Sequence, residues 1–557
     1  MRPPIVISVA LALFITCGVV LDRITWFDPV REVMHTDSVS AGALKQGPLG
    51  EVLRGNGFVH PAFEDRDLHP RWGKLKSREV YRLSDEVWPV PDSAPLATEF
   101  LHDEWPLISI AVDERDLKDP KRGIFSNWQQ AWERPAHASY FEGRELLGTT
   151  RCGIRLHGHS TRMPRMRDEH GASLRLYFRD TYGAESFPQG LIFEGESNPK
   201  AHLIVRGESA VSSALSFDIV RRIGGHAPEM RPALFVLNGE LQGLYSLSEH
   251  LTKRMWSRRL GHNSFAFHRS RSPATPFDIN AYEDFREWVQ SLQPGEFTWE
   301  RVSERVDIDA LVRHLFPILW CGTDDWAQGA AILDRSEDDP VWRWVNWDMD
   351  RSFRPSTAEG QGGVWRKDCF DLILGENLPD PLLYPDLNNE RQIQRSEVRG
   401  RLFGGLLRDD EEFRRFLVDA TTGYMNHELN SAFLRERLSF YRGFEGTPGI
   451  GRRSLETLEK FLRHRSRFFR QEFERVLGLE PSVEIEVTAP EGVDLLIDGR
   501  FEPGTYRGHY FPGQVVHIEV ATDDESATHR WRIDAQELVA PSLQHEVSGA
   551  ASISLLP

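Results

Sequence analysis

Two short acidic segments carry the side chains best suited to chemistry. Gly322–Trp326 contains Asp325, and Asn346–Asp350 contains Asp348. Phosphoryl transfer needs one carboxylate to hold Mg²⁺ on the nucleotide phosphates and another to orient or deprotonate the acceptor hydroxyl. Aspartates that only cap a β-hairpin would give the same pattern, so spacing alone leaves both interpretations open.

The chain between these segments predicts how they are positioned. Ala330–Asp334 and Val341–Trp347 are strand-like and flank a polar turn, which favours an antiparallel hairpin. Antiparallel pairing brings the start of the first strand beside the end of the second. We therefore expect Asp325 and Asp348 to lie at the same end of the hairpin.

Composition limits the class of protein. A chain of 557 residues is expected to form two or three domains, and 40% hydrophobic with 27% charged residues is typical of globular proteins. The net charge of -17 argues against a general nucleic-acid-binding surface. The 4 cysteines lack the spacing of a zinc site or a disulfide framework, so buried or free thiols are expected.

The N-terminus predicts export. Pro3–Leu21 has no charged residue, is preceded by Arg2 and is followed by Asp22. Its length suits a membrane anchor or the core of a cleaved signal. We therefore expect residues 1–22 to be a signal or anchor that makes the protein membrane-anchored or secreted, at the cell envelope; a cytosolic protein is the alternative.

The remaining chain predicts an α+β fold in three parts. Residues 23–100 are rich in Pro, Gly and charge and are interpreted as a linker and domain edge. Residues 101–480 begin with strands and continue with helices, including a buried helix at Ile308–Cys321. Residues 481–557 alternate short strands with turns, which favours a small C-terminal β-sandwich.

The strands and helices expected within residues 101–480 follow from hydrophobic periodicity and turn signals. The strands are Trp105–Val112, Ala136–Phe141, Cys152–His157, Ser173–Phe178, Ala233–Asn238 and Gly243–Leu247, the last two joined at Asn238-Gly239. The further helices are Ser212–Ile223, Glu411–Leu417 and Leu455–Leu477.

A series of segments, in order, resembles the CotH-type proteins, an atypical bacterial family of kinase-like proteins. These segments are Trp105–Asp113, Asp119–Phe125, Trp132–Pro135, the Gly/Ser-rich turn Gly153–Arg162, the strand Ser173–Arg179, the hairpin Leu237–Glu249 and the tryptophan–aspartate motif Asn346–Asp350. The resemblance covers the chain from about Trp105 to Leu477.

The resemblance implies a two-lobed kinase-like domain that uses ATP with Mg²⁺ and phosphorylates protein hydroxyls. Asp348 matches the metal-binding aspartate of the family. Asp325 matches the upstream acidic residue of the active site, with Asp324 as the alternative. Glu249 matches the acidic end of the hairpin motif, and Arg206 is either a phosphate contact or a structural ion pair.

Two positions depart from the family pattern. The basic pair expected before Ser173–Phe178 is replaced by Gly171 and Ala172, although Arg165 and Arg167 lie just upstream. The asparagine expected beyond the loop aspartate as a second metal ligand is also absent, and only Gln328 offers an amide there. Each loss is expected to weaken stabilisation of transition-state charge.

Three functions follow. The favoured one is an exported Mg-ATP-dependent kinase that phosphorylates Ser/Thr hydroxyls of proteins. The alternatives are a catalytically inactive envelope or surface protein of the same fold and a transferase directed at nucleotides or glycans. His157 and His159 flank Gly158 and could bind metal, but structural or solvent-exposed histidines are the simpler interpretation.

Overall fold

The structure is a computed structural model that describes most of the chain between residues 100 and 556. The described residues are 100–158, 162–164, 167, 171–179, 182, 192–193, 202–207, 209–269, 275–323, 326, 328–354, 370–374, 390–448, 450, 452–522 and 527–556. The predicted segment 1–22, and the predicted linker 23–100 apart from its last residue, lie outside them and stay predictions.

Helices and several sheets confirm the α+β class. The strands are β1 Leu107–Ala111, β2 Arg134–Glu142, β3 Glu145–Leu156, β4 Leu174–Tyr177, β5 His202–Arg206, β6 Met230–Leu237, β7 Glu240–Glu249, β8 Phe265–Arg269, β9 Ala330–Asp334, β10 Trp342–Val345, β11 Val483–Thr488, β12 Asp494–Ile497, β13 Arg500–Pro503, β14 Tyr506–Tyr510, β15 Val515–Val520, β16 His529–Ile533, β17 Gln536–Ala540, β18 Ser542–Glu546 and β19 Ala551–Leu556. The helices are α1 Glu114–Lys118, α2 Ala210–Arg222, α3 Lys253–Leu260, α4 Pro276–Ser291, α5 Trp299–Ser303, α6 Ile308–Cys321, α7 Phe370–Leu374, α8 Glu390–Asp409, α9 Glu411–Gly423, the π-helix Tyr424–Glu428, α10 Ser431–Arg442 and α11 Arg452–Leu477.

The first seven strands close into a barrel in the order β1-β2-β3-β4-β5-β7-β6. Closure comes from parallel pairing of β1 with β6, where Ile108 lies opposite Phe235 and Ile110 opposite Leu237. Side chains of these strands that point inward form one core, and Leu107 and Ile204 point outward into the larger core shared with the helices. Alternate side chains along these strands therefore contribute to two different hydrophobic cores.

The predicted hairpin at Asn238-Gly239 is confirmed by β6 and β7. Asn238 has a φ of 51°, a left-handed conformation that Asn tolerates in tight turns. Its side chain accepts from the backbone N–H of Val112 at 2.8 Å and donates to the carbonyl of the same residue at 2.9 Å. The turn is thereby fastened to the end of β1.

The second predicted hairpin is also confirmed. β9 and β10 pair antiparallel, with Ala330 opposite Val345, and β8 completes a three-stranded sheet. The buried helix α6 ends at Gly322, which adopts a left-handed conformation typical of helix C-termini. Arg465 of α11 is fully buried and donates to the carbonyls of Leu319 and Trp320 at 2.7 Å each, so it caps the last turn of α6.

The C-terminal strands form a five-stranded sheet, β14-β11-β19-β16-β17, and a four-stranded sheet, β13-β12-β15-β18. Both sheets contribute to a core separate from the rest of the protein. The first strand of this unit, β11, pairs parallel with the last, β19, where Ile485 lies opposite Ala551. Phe511 instead packs in the main core, so the unit is also anchored to the helices.

The π-helix holds this unit through buried polar contacts. Asn426 exchanges two hydrogen bonds with the backbone of His509, each 3.0 Å long. His427 is buried, with Nδ1 3.0 Å from a carboxylate oxygen of Glu502 and Nε2 3.6 Å from one of Asp498. Burial opposes the charge, but the two carboxylates outweigh it and raise the pKa of His427 above its ordinary value.

Two further predictions concern residues of which the structure describes only some. Cys152 and Cys321 are buried, as expected, whereas Cys17 and Cys369 lie outside the described residues. Of the helices in the described part of the chain, none combines the length and apolar character needed to cross a membrane. The predicted span at Pro3–Leu21 lies outside that part.

Candidate active site

The centre of the candidate site is an arginine held between two aspartates. Arg206 ends β5, and the Asp348 and Asp350 side chains follow β10. One guanidinium nitrogen donates to Asp348 at 2.6 Å and another to Asp350 at 2.9 Å. The Asp348 side chain is 27% exposed and that of Asp350 is 11% exposed. The pairing joins the barrel to the hairpin and gathers the carboxylates at one point.

Asp348 is ionised and its backbone is constrained. Burial works against its charge, but the hydrogen-bonded Arg206 outweighs burial, so the pKa of Asp348 lies below its ordinary value. Arg269 and His157 lower this pKa further. Asp348 has a φ of 62°, where an L-residue other than Gly is uncommon, and such conformations persist only where surrounding contacts enforce them.

A cationic face of the barrel adjoins this centre. Arg155 of β3 and Arg175 of β4 are directly paired across the two strands, and both are buried. Arg175 donates to Nδ1 of His157 and to Nε2 of His250, each at 3.1 Å; both nitrogens must accept, because a guanidinium only donates. Two guanidinium groups at paired positions concentrate positive charge on the face that also carries Arg206.

This face explains the period-two pattern at Ser173–Phe178. Leu174 and Leu176 belong to the barrel interior, whereas Arg175 lies on the opposite, equally buried side. Tyr177 shares that side, and its hydroxyl accepts from Arg175 at 3.2 Å. The polar positions of β4 therefore face a charged cluster rather than solvent.

The two acidic segments are linked at their ends. The hydroxyls of Thr323 and Ser352 lie 2.7 Å apart in a fully buried hydrogen bond, and the backbone N–H of Phe353 donates to the carbonyl of Cys321 at 2.9 Å. The chain just before the acidic pair therefore meets the turn after β10. Asp324 and Asp325 themselves lie outside the described residues, so their roles stay predictions.

The other predicted residues occupy different surroundings. Glu249 is buried at the end of β7, where it accepts from Arg259 at 2.7 Å and from the backbone N–H of Glu229 at 2.8 Å. Arg167 donates to the backbone carbonyl of Phe125 at 3.0 Å, and its guanidinium lies over the aromatic ring of the same residue. The backbone carbonyl of Gln328 accepts from an arginine of α8 at 3.3 Å. Nothing described joins these three to Asp348 directly.

The departure at Gly171 has a structural reason. Gly171 has a φ of 76°, and a Cβ placed there would lie 2.0 Å from the hydroxyl of Tyr245. A side chain of any kind, the family's basic residue included, is excluded unless Tyr245 moves. Arg165 lies outside the described residues, and positive charge near the site comes instead from Arg155 and Arg175.

Sequence reasoning missed four residues of this site. Asp350 stands in the recognised motif and could have been found there, because it follows Asp348 by two positions. Arg155 and Arg175 lie within recognised strands, and strand alternation alone could have placed both on one face. His250 follows β7 and carries no local signal, since its contact is with Arg175, 75 positions earlier in the chain.

The donor set suits a hard cation. Mg²⁺ is bound through one or two carboxylates together with substrate phosphates, and Asp348 and Asp350 supply oxygen donors that already converge on one cation, Arg206. In the part of the chain that the structure describes, no group of three or more His, Cys, Asp or Glu side chains forms a complete metal site. The two aspartates therefore fit a magnesium ion whose remaining ligands come from elsewhere.

Comparison with known proteins identifies the family of the chain. No curated protein matches the chain. A family model described as CotH kinase protein matches residues 154–444, a region that includes Arg206, Asp348 and the cationic face. The match covers just over half of the 557 residues. The chain belongs to the CotH kinase protein family.

Proposed function

We propose that the protein is a Mg-ATP-dependent protein kinase that phosphorylates Ser or Thr hydroxyls of a protein substrate. The observation that carries the proposal is the fork of Arg206 between Asp348 and Asp350, because it gathers oxygen donors for a metal beside the buried cationic face of the barrel. Kinase catalysis consists largely of such positioning and charge stabilisation.

Each residue has a role in this proposal. Asp348 and Asp350 would hold Mg²⁺, which would neutralise charge developing on the phosphates. Arg155 and Arg175 supply positive charge for the phosphate groups, in place of the basic pair absent at Gly171 and Ala172. Asp325, or Asp324, would orient the acceptor hydroxyl and take up its proton.

The proposal extends to the architecture and to the location of the protein. The barrel of β1–β7 and the helices after it would be the two lobes of a kinase-like domain, with the site between them. The unit from residue 481 would be a β-sandwich that folds independently. The uncharged Pro3–Leu21 run would export the protein or anchor it to a membrane at the cell envelope.

Two observations favour the second candidate, a catalytically inactive member of the fold. The backbone of Gly171 leaves no room for a phosphate-binding lysine or arginine, and Arg206 already forms an ion pair with each of the two aspartates. Such a protein would keep the domain as a structural component of the envelope.

The first experiment tests whether the full chain binds Mg-ATP through Asp348, as the metal assignment requires. We expect Mg-ATP to raise the melting temperature of the wild type and not that of Asp348→Asn. The control is Asp284→Asn, which removes an exposed carboxylate paired with Arg305 away from the site. If Asp348→Asn responds to Mg-ATP as the wild type does, the metal assignment is wrong.

Transfer of radiolabelled γ-phosphate to Ser or Thr of a protein substrate, measured with the same proteins, then distinguishes kinase from inactive protein. Label that depends on Asp348 supports the kinase. Mg-ATP binding without transfer to any of a broad set of protein substrates favours the inactive member.

A further inference from the structure

A buried arginine lies behind the candidate site. Arg399 of α8 is 4% exposed, and burial lowers its pKa to about 10. It donates to Nε2 of His314 at 2.6 Å and to the carbonyl of Gln328 at 3.3 Å, and its guanidinium lies 5.2 Å from the ring centre of Trp326. Among the described residues, none of these partners is a carboxylate. Burying a guanidinium this way costs several kcal/mol, so an apolar residue would serve the core better.

The neighbouring histidine, His314, has a single tautomer, which fixes which ring nitrogen donates and which accepts a hydrogen bond. His314 is 1% exposed, and burial, which is reinforced by the Arg399 charge, lowers its pKa well below its ordinary value, so the ring is neutral. Nε2 must accept from Arg399, because a guanidinium only donates. The ring proton therefore lies on Nδ1 and is donated to the side-chain oxygen of Asn346 at 3.1 Å.

Asn346 completes the chain of contacts. Its amide nitrogen donates to the backbone carbonyl of His314 at 3.0 Å, and its backbone N–H donates to the carbonyl of His226 at 2.8 Å. The side-chain orientation is fixed, since its oxygen accepts from Nδ1 of His314 and its nitrogen faces a carbonyl. Asn346 lies two residues before Asp348, whose left-handed backbone requires support from its surroundings.

These contacts connect both acidic segments. At one end Arg399 holds Trp326 and Gln328, which follow the predicted Asp324 and Asp325 along the chain. At the other end Asn346 leads into the Asp348 turn. A buried path thus joins the two segments, in addition to the Thr323–Ser352 hydrogen bond and the pairing of Ala330 with Val345.

We propose that Arg399, His314 and Asn346 are positioning residues that set the Asp348 turn relative to Trp326 and Gln328. The proposal rests on the proposed function, in which Asp348 is a metal ligand and the aspartate that precedes Trp326 in the chain orients the hydroxyl. The three residues contact neither metal nor nucleotide and act through the backbone that carries Asp348. Residues that orient metal ligands in this manner are typically worth about 10- to 100-fold in metal affinity.

The first measurement is the affinity of the full chain for Mn²⁺-ATP, with Mn²⁺ as a paramagnetic replacement for Mg²⁺, alongside its affinity for ATP in EDTA. Arg399→Met and His314→Leu are expected to weaken Mn²⁺-ATP binding by about 10- to 100-fold and to leave metal-free ATP binding within about twofold. Arg399→Lys and His314→Gln should recover part of the loss, and they serve as variants if the first two fold poorly.

The matched control is His268→Gln. His268 is partly buried and also neutral, with its pKa lowered by burial to about 4, but it stacks on Tyr282 at the far strand of the same sheet. A general loss of packing would affect this control as well. Equal Mn²⁺-ATP affinity in wild type, Arg399→Met and His314→Leu would overturn the positioning role.

The second measurement is amide hydrogen exchange without nucleotide. His314→Leu is expected to raise exchange in residues 326–329 and 346–350 together, and His268→Gln is expected to raise it in neither. If wild type fails to bind Mn²⁺-ATP, the proposed function is wrong, and exchange still decides the positioning role. Unchanged exchange in both segments would overturn that role whatever the outcome for nucleotide binding.

Discussion

Replacing Arg206 by methionine should destabilise the metal-free protein and create a response to Mg²⁺. The variant loses charge-assisted hydrogen bonds of 2.6 and 2.9 Å and leaves Asp348 and Asp350 facing one another without that cation. Such bonds contribute about 1.5–3 kcal/mol each when buried and well under about 1 kcal/mol when exposed. Because these side chains are between 11% and 27% exposed, we expect a loss of about 2–4 kcal/mol in the free energy of unfolding.

Mg²⁺ should restore part of this loss, because it can occupy the position that the guanidinium leaves. If the variant binds Mg²⁺ with a Kd of about 1 mM, a concentration of about 10 mM adds about 1.4 kcal/mol to the free energy of unfolding. In the wild type Mg²⁺ must compete with Arg206, so the same addition should have a smaller effect. The assay is urea unfolding followed by circular dichroism, in EDTA and in Mg²⁺.

A second arginine fork provides the control. Arg343 donates to Asp307 at 2.8 Å and to Glu337 at 2.6 Å; this fork is more exposed than that of Arg206 and lies away from the site. Arg343→Met should lose stability without a special response to Mg²⁺. The reasoning is refuted if Arg206→Met is as stable as the wild type in EDTA, or if Mg²⁺ stabilises both variants equally.

Three further changes test other parts of the structure. Gly171→Ala should cost about 1–3 kcal/mol because its Cβ meets the Tyr245 hydroxyl, and adding Tyr245→Phe should recover part of that cost in the same urea assay. His427→Gln should lose stability most below about pH 6.5 and progressively less as the pH rises through the raised pKa of His427, which unfolding curves between about pH 5.5 and 9 would measure. Arg465→Met should cost about 3–5 kcal/mol because it removes the ion pair with the buried Glu472, and adding Glu472→Leu should restore part of the melting temperature rather than lower it further.

Local patterns in the sequence were sufficient to predict the strands, turns and helix that carry the site. The hairpin of β9 and β10, the turn at Asn238-Gly239 and helix α6 each have a signal within a few residues of themselves. Their strands and turns were therefore predicted nearly in place. The motif around Asp348 also identified the correct segment for the ion pair with Arg206.

The pairing of strands that are distant in the chain had no comparable signal in the sequence. Closure of the barrel depends on the parallel register of β1 with β6, and nothing in either strand specifies its partner. Arg399 was missed for a related reason, since an arginine in a polar helix resembles a solvated side chain until tertiary packing buries it. The left-handed backbone of Asp348 is likewise invisible in a sequence that shows no glycine there.

The parallel pairing of β11 with β19 has a consequence for synthesis on the ribosome. β19 lies at the centre of its five-stranded sheet, between β11 and β16, although it is the last strand of the unit to be made. β11 therefore emerges with one edge lacking its eventual neighbour, and it cannot gain that neighbour until Leu556 has left the exit tunnel. Contacts between segments so distant in sequence form slowly. The barrel and the helices that follow it can fold while the chain is still growing, whereas this unit must complete its sheet after synthesis has passed its final strand.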